Sequence, residues 1–383
     1  NALLSRSLGE KRQKEANLSA VNGVFLAFVS YLVFALMGIL GSHLFFASQT
    51  ENREIVEFGT QYLTICLIFS FGIFMEMTFE RIMQSTGRTI YSMVTQGTGA
   101  IINIILDPIM IFGLFGFPRL GIRGAAIATV TGQIIAMILA VWFNHKKNRD
   151  VQLSFKGFKP DGRIIAKIYE VGVPSIVMQS IVSIMTFGMN KILIMFSETA
   201  VSVLGIYFKL QSFIFMPIFG LNNGVIPIVA YNYGAGHKKR IMDTIKLSTF
   251  IAVGIMLIGL IIFQVFPEGL LKLFNASDHM LEVGVPALRI ISTSFLFAGY
   301  CIILGSVFQA LGNGMFSLII SVCRQLVVLL PAAWLLSKTG NVNMVWWSFV
   351  IAELVSVTLS FVFFARLDKK IIEPMYDNAA AAQ

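Results

Sequence analysis

Long apolar stretches alternate with short polar ones along nearly the whole chain. A helix of about 20 apolar residues crosses the hydrocarbon core of a membrane, and ten charge-poor runs reach that length. The pattern therefore predicts an all-α integral membrane protein with ten transmembrane helices. The predicted spans are residues 20–41, 61–83, 91–114, 123–143, 171–196, 203–231, 246–266, 285–308, 315–337 and 344–365.

Charge placement indicates how these spans are oriented. Only 13% of the 383 residues are charged, against about 25% in soluble domains. Twenty of the 29 Lys and Arg residues fall on one side of the predicted membrane, five on the other and four within spans. Because cytoplasmic loops carry the excess of Lys and Arg, the net charge of +9 reports topology and indicates no nucleic-acid partner. We expect both ends of this chain to be cytoplasmic.

Short segments of the first part of the chain recur in the second part. QSTGRTIYSM at 84–93 resembles QALGNGMFSL at 309–318, and Asp107-Pro108 corresponds to Leu330-Pro331. The spacing of about 225 residues changes slowly, as differences in loop length would make it do. We predict two lobes from a tandem duplication, with four spans in the first and six in the second.

The repeat also sets the predicted domain boundaries. Because the second copy has two spans ahead of its matching basic loop, the first copy is expected to have two further helices before residue 1. The linker is the longest cytoplasmic loop and the most basic, and we expect a solvated tether. The predicted segments are 1–147 for the first lobe, 148–170 for the linker, 171–370 for the second lobe and 371–383 for the tail.

The third predicted span carries a candidate ion site. Asn103 and Asp107 are four residues apart and therefore share one face of the helix. Pro108 cannot donate a backbone hydrogen bond, which leaves the carbonyl of Ile104 without its helical partner beside that face. An ionised Asp at the membrane centre costs at least ~2.5 kcal/mol, so this group suits uptake and release of a proton or Na⁺. The alternative is an Asp that caps the kink for packing alone.

Other polar side chains lie within the apolar spans. Glu76 and Glu80 are four apart on span 61–83, followed by Arg81. Either Glu80 forms an ion pair with Arg81 near the cytoplasmic end, or both acids line a substrate path. In the second lobe Gln179 and Glu353 are candidate substrate-binding residues, and Arg324 is a candidate partner of Glu353.

Several motifs resemble those of the multidrug and toxic compound extrusion (MATE) transporters, particularly the bacterial MepA-like and DinF-like branch. They are the QxxGR turn at 84–88, NIILDP at 103–108, GAAIAT at 124–129, GVPS at 172–175 and GVIPIVAYNYGAG at 224–236. The resemblance covers residues 1 to about 370. It implies two six-helix lobes, of which this chain lacks the first two helices.

The same resemblance implies function and site residues. Members export organic cations in exchange for H⁺ or Na⁺ by alternating access. Thr129 matches the threonine of GAAIAT and would join Asp107 and Asn103, and Glu80 occupies the position of an acid implicated in cation binding. The acid that other branches carry on the seventh family helix for Na⁺ is absent from 172–190, so we expect coupling in the first lobe.

Alternative functions differ in the cavity that they require. A lipid-linked oligosaccharide flippase of the same superfamily would need a cationic cavity, and the Lys and Arg residues within spans are compatible with this alternative. A non-transporting membrane scaffold is the more distant alternative. HExxH, Walker and GxSxG motifs are absent from the sequence, so we expect no enzyme activity and no cofactor. We expect a monomeric antiporter of the bacterial inner membrane, in contact with membrane lipid, that confers multidrug and antibiotic resistance.

Overall fold

The computed structural model describes residues 1–375 as helices joined by short connections. It contains no β-strand within these residues, which confirms the all-α class. Eight of the described helices are long and apolar enough to cross a membrane, or ten when two bent pairs each count as one span. The predicted tail at 371–383 falls mostly outside the described residues.

The helices are α1 (Ala2–Gly9), α2 (Gln13–Ala47), α3 (Arg53–Ile68), α4 (Phe71–Ser85), α5 (Thr89–Phe112), α6 (Ile122–Lys147), α7 (Gly162–Leu193), α8 (Glu198–Ala235), α9 (Lys238–Val265), α10 (Pro267–Lys272), α11 (Asp278–Ser292), α12 (Phe295–Ala310), α13 (Gly314–Val322), α14 (Leu330–Ser337) and α15 (Val342–Leu367), with π-helical segments at Cys323–Leu329 and Asp368–Ile372.

Two predicted spans, 61–83 and 285–308, are broken rather than straight. The α3–α4 pair bends by 47° and the α11–α12 pair by 50°. The hydroxyl of Ser70 donates to the carbonyl of Leu67, and that of Ser294 donates to Ile291, each at 2.7 Å. Serine hydroxyls that bond back to their own helix often bend it, although Ser348 makes the same kind of bond within the unbroken helix α15. Both breaks fall at a Ser-Phe dipeptide, and the two serines are 224 residues apart, close to the spacing of the sequence repeat.

The chain divides into two compact units, each with its own buried core. The first unit contains residue 1, Leu3–Leu8 and Arg12–Ile168, and the second contains residue 2, Gly9–Lys11 and the chain from Tyr169 onward. With each bent pair counted once, the first unit has four candidate spans and the second has six.

Large apolar side chains also cover the outside of the helices. Leu40 on α2 is 71% exposed and Phe250 on α9 is 78% exposed, and many similar side chains surround them. Exposed apolar surface of this extent is unfavourable in water and favourable against lipid. The helices therefore present the surface of a multi-pass membrane protein.

The basic linker is not a free tether, contrary to the expectation from its charge. Gln152 donates its backbone N–H to the side-chain oxygen of Asn17 at 3.0 Å, and Asp161 donates to that of Asn22 at 3.1 Å. Lys167 pairs with Glu15 at 2.6 Å. Val151 is buried in the core of the first unit. Asparagine side chains of α2 thus hold the linker backbone at two points, a contact that charge counting does not reveal.

Glycine residues let α5 and α6 approach each other closely. A Cβ atom added at Gly132 on α6 would lie 2.7 Å from the backbone oxygen of Gly99 on α5, and one added at Gly124 would lie 2.4 Å from that of Met110. Ala126 and Ala128 between these glycines are fully buried. The GAAIAT motif therefore consists largely of small residues required by helix packing.

A methyl group at Gly132 should disturb this contact. We expect Gly132→Ala to lower the melting temperature of the purified protein, because the backbone oxygen of Gly99 cannot move aside as a flexible side chain would. Gly97→Ala is the matched control on α5, where an added Cβ meets nothing within 4 Å. It should keep or raise the melting temperature, since Ala favours helix by about 1 kcal/mol over Gly. Equal melting temperatures for the two variants would contradict the packing account.

Candidate ion-coupling site

The structure brings Asp107, Asn103 and Thr129 together at the contact between α5 and α6. The side-chain amide of Asn103 donates to the carboxylate of Asp107 at 3.3 Å and to the hydroxyl oxygen of Thr129 at 3.3 Å. All three side chains are half-buried. The arrangement offers carboxylate, amide and hydroxyl groups, the hard ligands suited to a proton or a small hard cation.

Tyr62 on α3 is a further polar residue at this site that the sequence analysis missed. Its hydroxyl lies beside Thr129 and Cys66 and is close enough to Asp107 for an electrostatic interaction with the carboxylate. Tyr62 gives no signal in the sequence, because tyrosine is common near the ends of membrane spans. Its position becomes evident only when α3 is packed against α6.

Glu80 belongs to a second buried polar cluster between α4 and α5. One carboxylate oxygen accepts a hydrogen bond from Thr95 at 2.8 Å, and the other accepts from Gln96 at 2.6 Å. Glu80 is only 2% exposed. Arg81 donates to Gln84 at 2.9 Å. The carboxylate of Glu80 is therefore held by neutral donors from α5, an arrangement that the ion-pair interpretation did not include.

Glu76 lies one helical turn before Glu80 and is also buried, at 8% exposed. Within the described residues its carboxylate has no hydrogen bond or ion pair, and its oxygens are not among the fully enclosed side-chain atoms. A buried carboxylate without a partner is unfavourable by several kcal/mol when ionised. The helix α4 thus carries two acids in contrasting environments, one satisfied and one not.

One face of α5 connects the two clusters. Gln96, Asn103 and Asp107 are separated by seven and then four residues, so they lie along the same side of the helix. At 1.5 Å per residue, the eleven residues from Gln96 to Asp107 span about 16 Å. A polar strip therefore runs along α5 from Gln96, which bonds to Glu80, to Asp107.

The candidate residues of the second unit are arranged differently. Glu353 on α15 accepts a hydrogen bond from Arg324 at 3.4 Å, which confirms the predicted interhelical pair. Glu353 is buried at 7% exposed. Gln179 lies exposed on α7, and within residues 1–375 no hydrogen bond joins it to this pair. The structure therefore does not bring Gln179 and Glu353 into one contact.

Comparison with protein families places the sequence among transporters. The MatE family model matches residues 1–109 and 174–335. The multidrug export protein MepA of Staphylococcus haemolyticus is 26% identical over 357 residues, which are 93% of this chain and 78% of MepA. The probable multidrug resistance protein NorM of Thermotoga maritima is 26% identical over 364 residues, covering 94% of this chain and 78% of NorM.

Solved structures share the fold. The outward-facing conformation of a multidrug resistance MATE family transporter of the MOP superfamily matches with a TM-score of 0.90 at 23% identity, over 97% of this chain and 83% of that one. A MOP superfamily transporter from Pyrococcus furiosus, described as having a binding pocket of reverse polarity, matches with the same TM-score, identity and coverage. These matches confirm the two-lobe helical fold class.

The contrast between the two acids of α4 predicts that neutralising them has different effects on stability. Glu80→Gln places an amide donor opposite one of the donors, Thr95 or Gln96, so one buried hydrogen bond is lost. We expect a loss of about 1–3 kcal/mol, seen as a lower melting temperature in detergent. Glu76→Gln is the matched control on the same face and should not lower it, because no partner is lost. Equal destabilisation by both variants would show that the assigned partners of Glu80 do not stabilise the fold.

Proposed function

Because the chain belongs to the MatE family of membrane transporters, we propose that it exports small organic cations, drugs among them, in exchange for H⁺ or Na⁺. The names of the curated relatives, multidrug export and multidrug resistance proteins, support the efflux part of this proposal. The cluster of Asp107, Asn103 and Thr129 carries the coupling part. The excess of basic loops on one side supports placement in a bacterial inner membrane with both ends of this chain in the cytoplasm.

Loading of Asp107 is the proposed coupling step. In the structure the Asn103 amide donates to the carboxylate of Asp107, an arrangement that suits the unloaded acid. A proton on Asp107, or a Na⁺ bound to it, removes the need for that donor. The amide then turns to present its oxygen, which accepts from the protonated acid or coordinates the cation. Loading from outside and discharge inside would thus rearrange the contact between α5 and α6 at Pro108.

The driving force depends on the charge of the substrate. A positive charge that moves inward gains about 2.3 kcal/mol per 100 mV, which exceeds the roughly 1.4 kcal/mol that a tenfold gradient of a neutral substrate requires. For a monovalent organic cation exchanged one for one, the electrical contributions cancel. The chemical gradient of the coupling ion then supplies the energy.

Glu76 supports a cationic substrate class. A carboxylate without a partner, on the same helix face as Glu80, attracts an organic cation. The attraction becomes stronger when water leaves the site, because the local dielectric constant is then lower. We propose that substrate approaches through the face of α4 that carries both acids.

The flippase alternative requires free cations in the cavity, and the second unit does not favour it. Lys191 lies over the ring of Phe187 at 5.6 Å, and Lys209 lies over that of Phe274 at 5.8 Å. Arg324 pairs with Glu353. Three of the four cations within spans thus have partners inside their own unit, which leaves less positive charge for a pyrophosphate.

Asp107→Asn is the direct test of the coupling role. In proteoliposomes with an imposed proton or Na⁺ gradient, we expect this variant to lose gradient-driven ethidium efflux, because an amide does not take up a proton and has no negative charge to hold Na⁺. Asp243→Asn is the matched control, since Asp243 is exposed on α9 and its loss should leave efflux unchanged. Wild-type efflux rates in Asp107→Asn would refute the assignment.

A further inference from the structure

The linker between α6 and α7 forms a basic surface of the first unit, called the linker surface below. Within residues 1–375 its cations are exposed and none of them forms an ion pair. Asp150 is neutralised by Arg88, and Asp161 accepts backbone N–H groups at the start of α7. The linker surface therefore carries a net positive charge. Its cations are Lys146, Lys147, Arg149, Lys156, Lys159 and Arg163.

Contacts with α2 fix the level of the linker along the membrane spans. Asn17 and Asn22 in the first turns of α2 hold the linker backbone. The ring of Phe158 in the linker lies 5.6 Å from that of Phe25, a residue at the start of the apolar run of α2. The linker therefore lies where α2 changes from polar to apolar. In a membrane this level is the boundary between headgroups and acyl chains.

Phe155 is an apolar side chain at this boundary that the protein covers only in part. It is 50% exposed, and its ring lies 6.3 Å from that of Phe158. Lys156 and Lys159 follow the two rings in the sequence FKGFK, and Gly157 between them has a φ of 67°, which turns the chain. Exposed aromatic rings among lysines are typical of segments that bind a membrane interface, because the rings enter the acyl boundary while the ammonium groups stay with the headgroups.

We propose that the linker surface binds the headgroups of anionic phospholipids in the surrounding membrane, with Phe155 inserted at the acyl boundary. A cluster of about four to eight Lys and Arg residues directly beside a membrane helix has this preference. A free phosphate ion fits the surface less well, because an exposed ring adds nothing to its binding. Since α2 holds the linker backbone, bound lipid should stabilise the contact between them. The proposal depends on membrane placement and involves neither the coupling ion nor the substrate.

Lipid titration of the purified full chain tests this proposal without transport. The protein is melted in detergent with added dioleoylphosphatidylglycerol, dioleoylphosphatidylcholine or inorganic phosphate. A ligand that binds only the folded state raises the melting temperature in a saturable way. We expect a saturable rise with phosphatidylglycerol, a smaller one with phosphatidylcholine and none with phosphate. Equal rises with the two lipids, or a rise with phosphate that matches that of phosphatidylglycerol, would overturn the proposal.

Paired lysine substitutions locate the binding surface. Lys156→Gln with Lys159→Gln removes two exposed charges from the linker surface, and we expect the phosphatidylglycerol concentration at half of the thermal shift to rise about tenfold. Lys369→Gln with Lys370→Gln is the matched control, because these lysines are also exposed and follow the membrane helix α15. The control should leave the midpoint nearly unchanged. Equal changes in the two double variants would show that net charge alone attracts the lipid, which would refute a site on the linker.

Phe155→Ser tests the inserted ring while every charge is kept. Because Phe155 is half exposed, we expect the melting temperature without lipid to stay the same and the phosphatidylglycerol midpoint to rise severalfold. An unchanged midpoint would refute insertion of the ring. These melts involve no ion gradient and no substrate, so their failure is distinguishable from failure of the efflux proposal.

Discussion

The close contact of α5 and α6 is the constraint on which the proposed coupling site depends. An added Cβ at Gly132 would lie only 2.7 Å from the backbone oxygen of Gly99, and the close approach that glycine permits places Thr129 within hydrogen-bonding distance of Asn103. Asn103 reaches Asp107 along α5 itself. With bulkier residues the helices would stand apart, and Thr129 would be separated from Asn103 and Asp107. The chemistry of the first unit is thus set by a packing requirement that itself involves no polar group.

The two units solve the same packing problem with different polar residues. Each contains a bent helix pair broken at a Ser-Phe dipeptide and a candidate span with a proline, which is internal to α5 at Pro108 and lies in the first turn of α14 at Pro331. The first unit has its acid directly before that proline, whereas the second has leucine there and places its acid, Glu353, on α15 where the first has Gln133. Duplication therefore preserved the helices and their breaks, while the buried charges moved to different positions. This divergence suits a transporter in which only one lobe needs to hold the coupling ion proposed here.

Much of this structure could be predicted from the sequence, because membrane spans leave a strong signal in hydropathy. The cluster of Asp107, Asn103 and Thr129 could also be predicted, since Asn103 and Asp107 share a helix face and Thr129 lies in a recognisable motif. The bends were not predictable, because Ser70 and Ser294 resemble the serines of unbroken helices, such as Ser348, whose hydroxyl also bonds back to its own helix. The partners of Glu80, the position of Tyr62 and the docking of the linker depend on contacts between helices, which no local pattern encodes.

The central claim is that Asp107 itself takes up the coupling ion. Infrared difference spectroscopy of the reconstituted protein measures this directly, because protonation or Na⁺ binding shifts the stretching bands of a carboxyl group. The account predicts that a pH or Na⁺ step produces a carboxyl band in the wild-type spectrum that is absent in Asp107→Asn, with the bands of the remaining acids retained. A difference spectrum that is identical in the two proteins would contradict it.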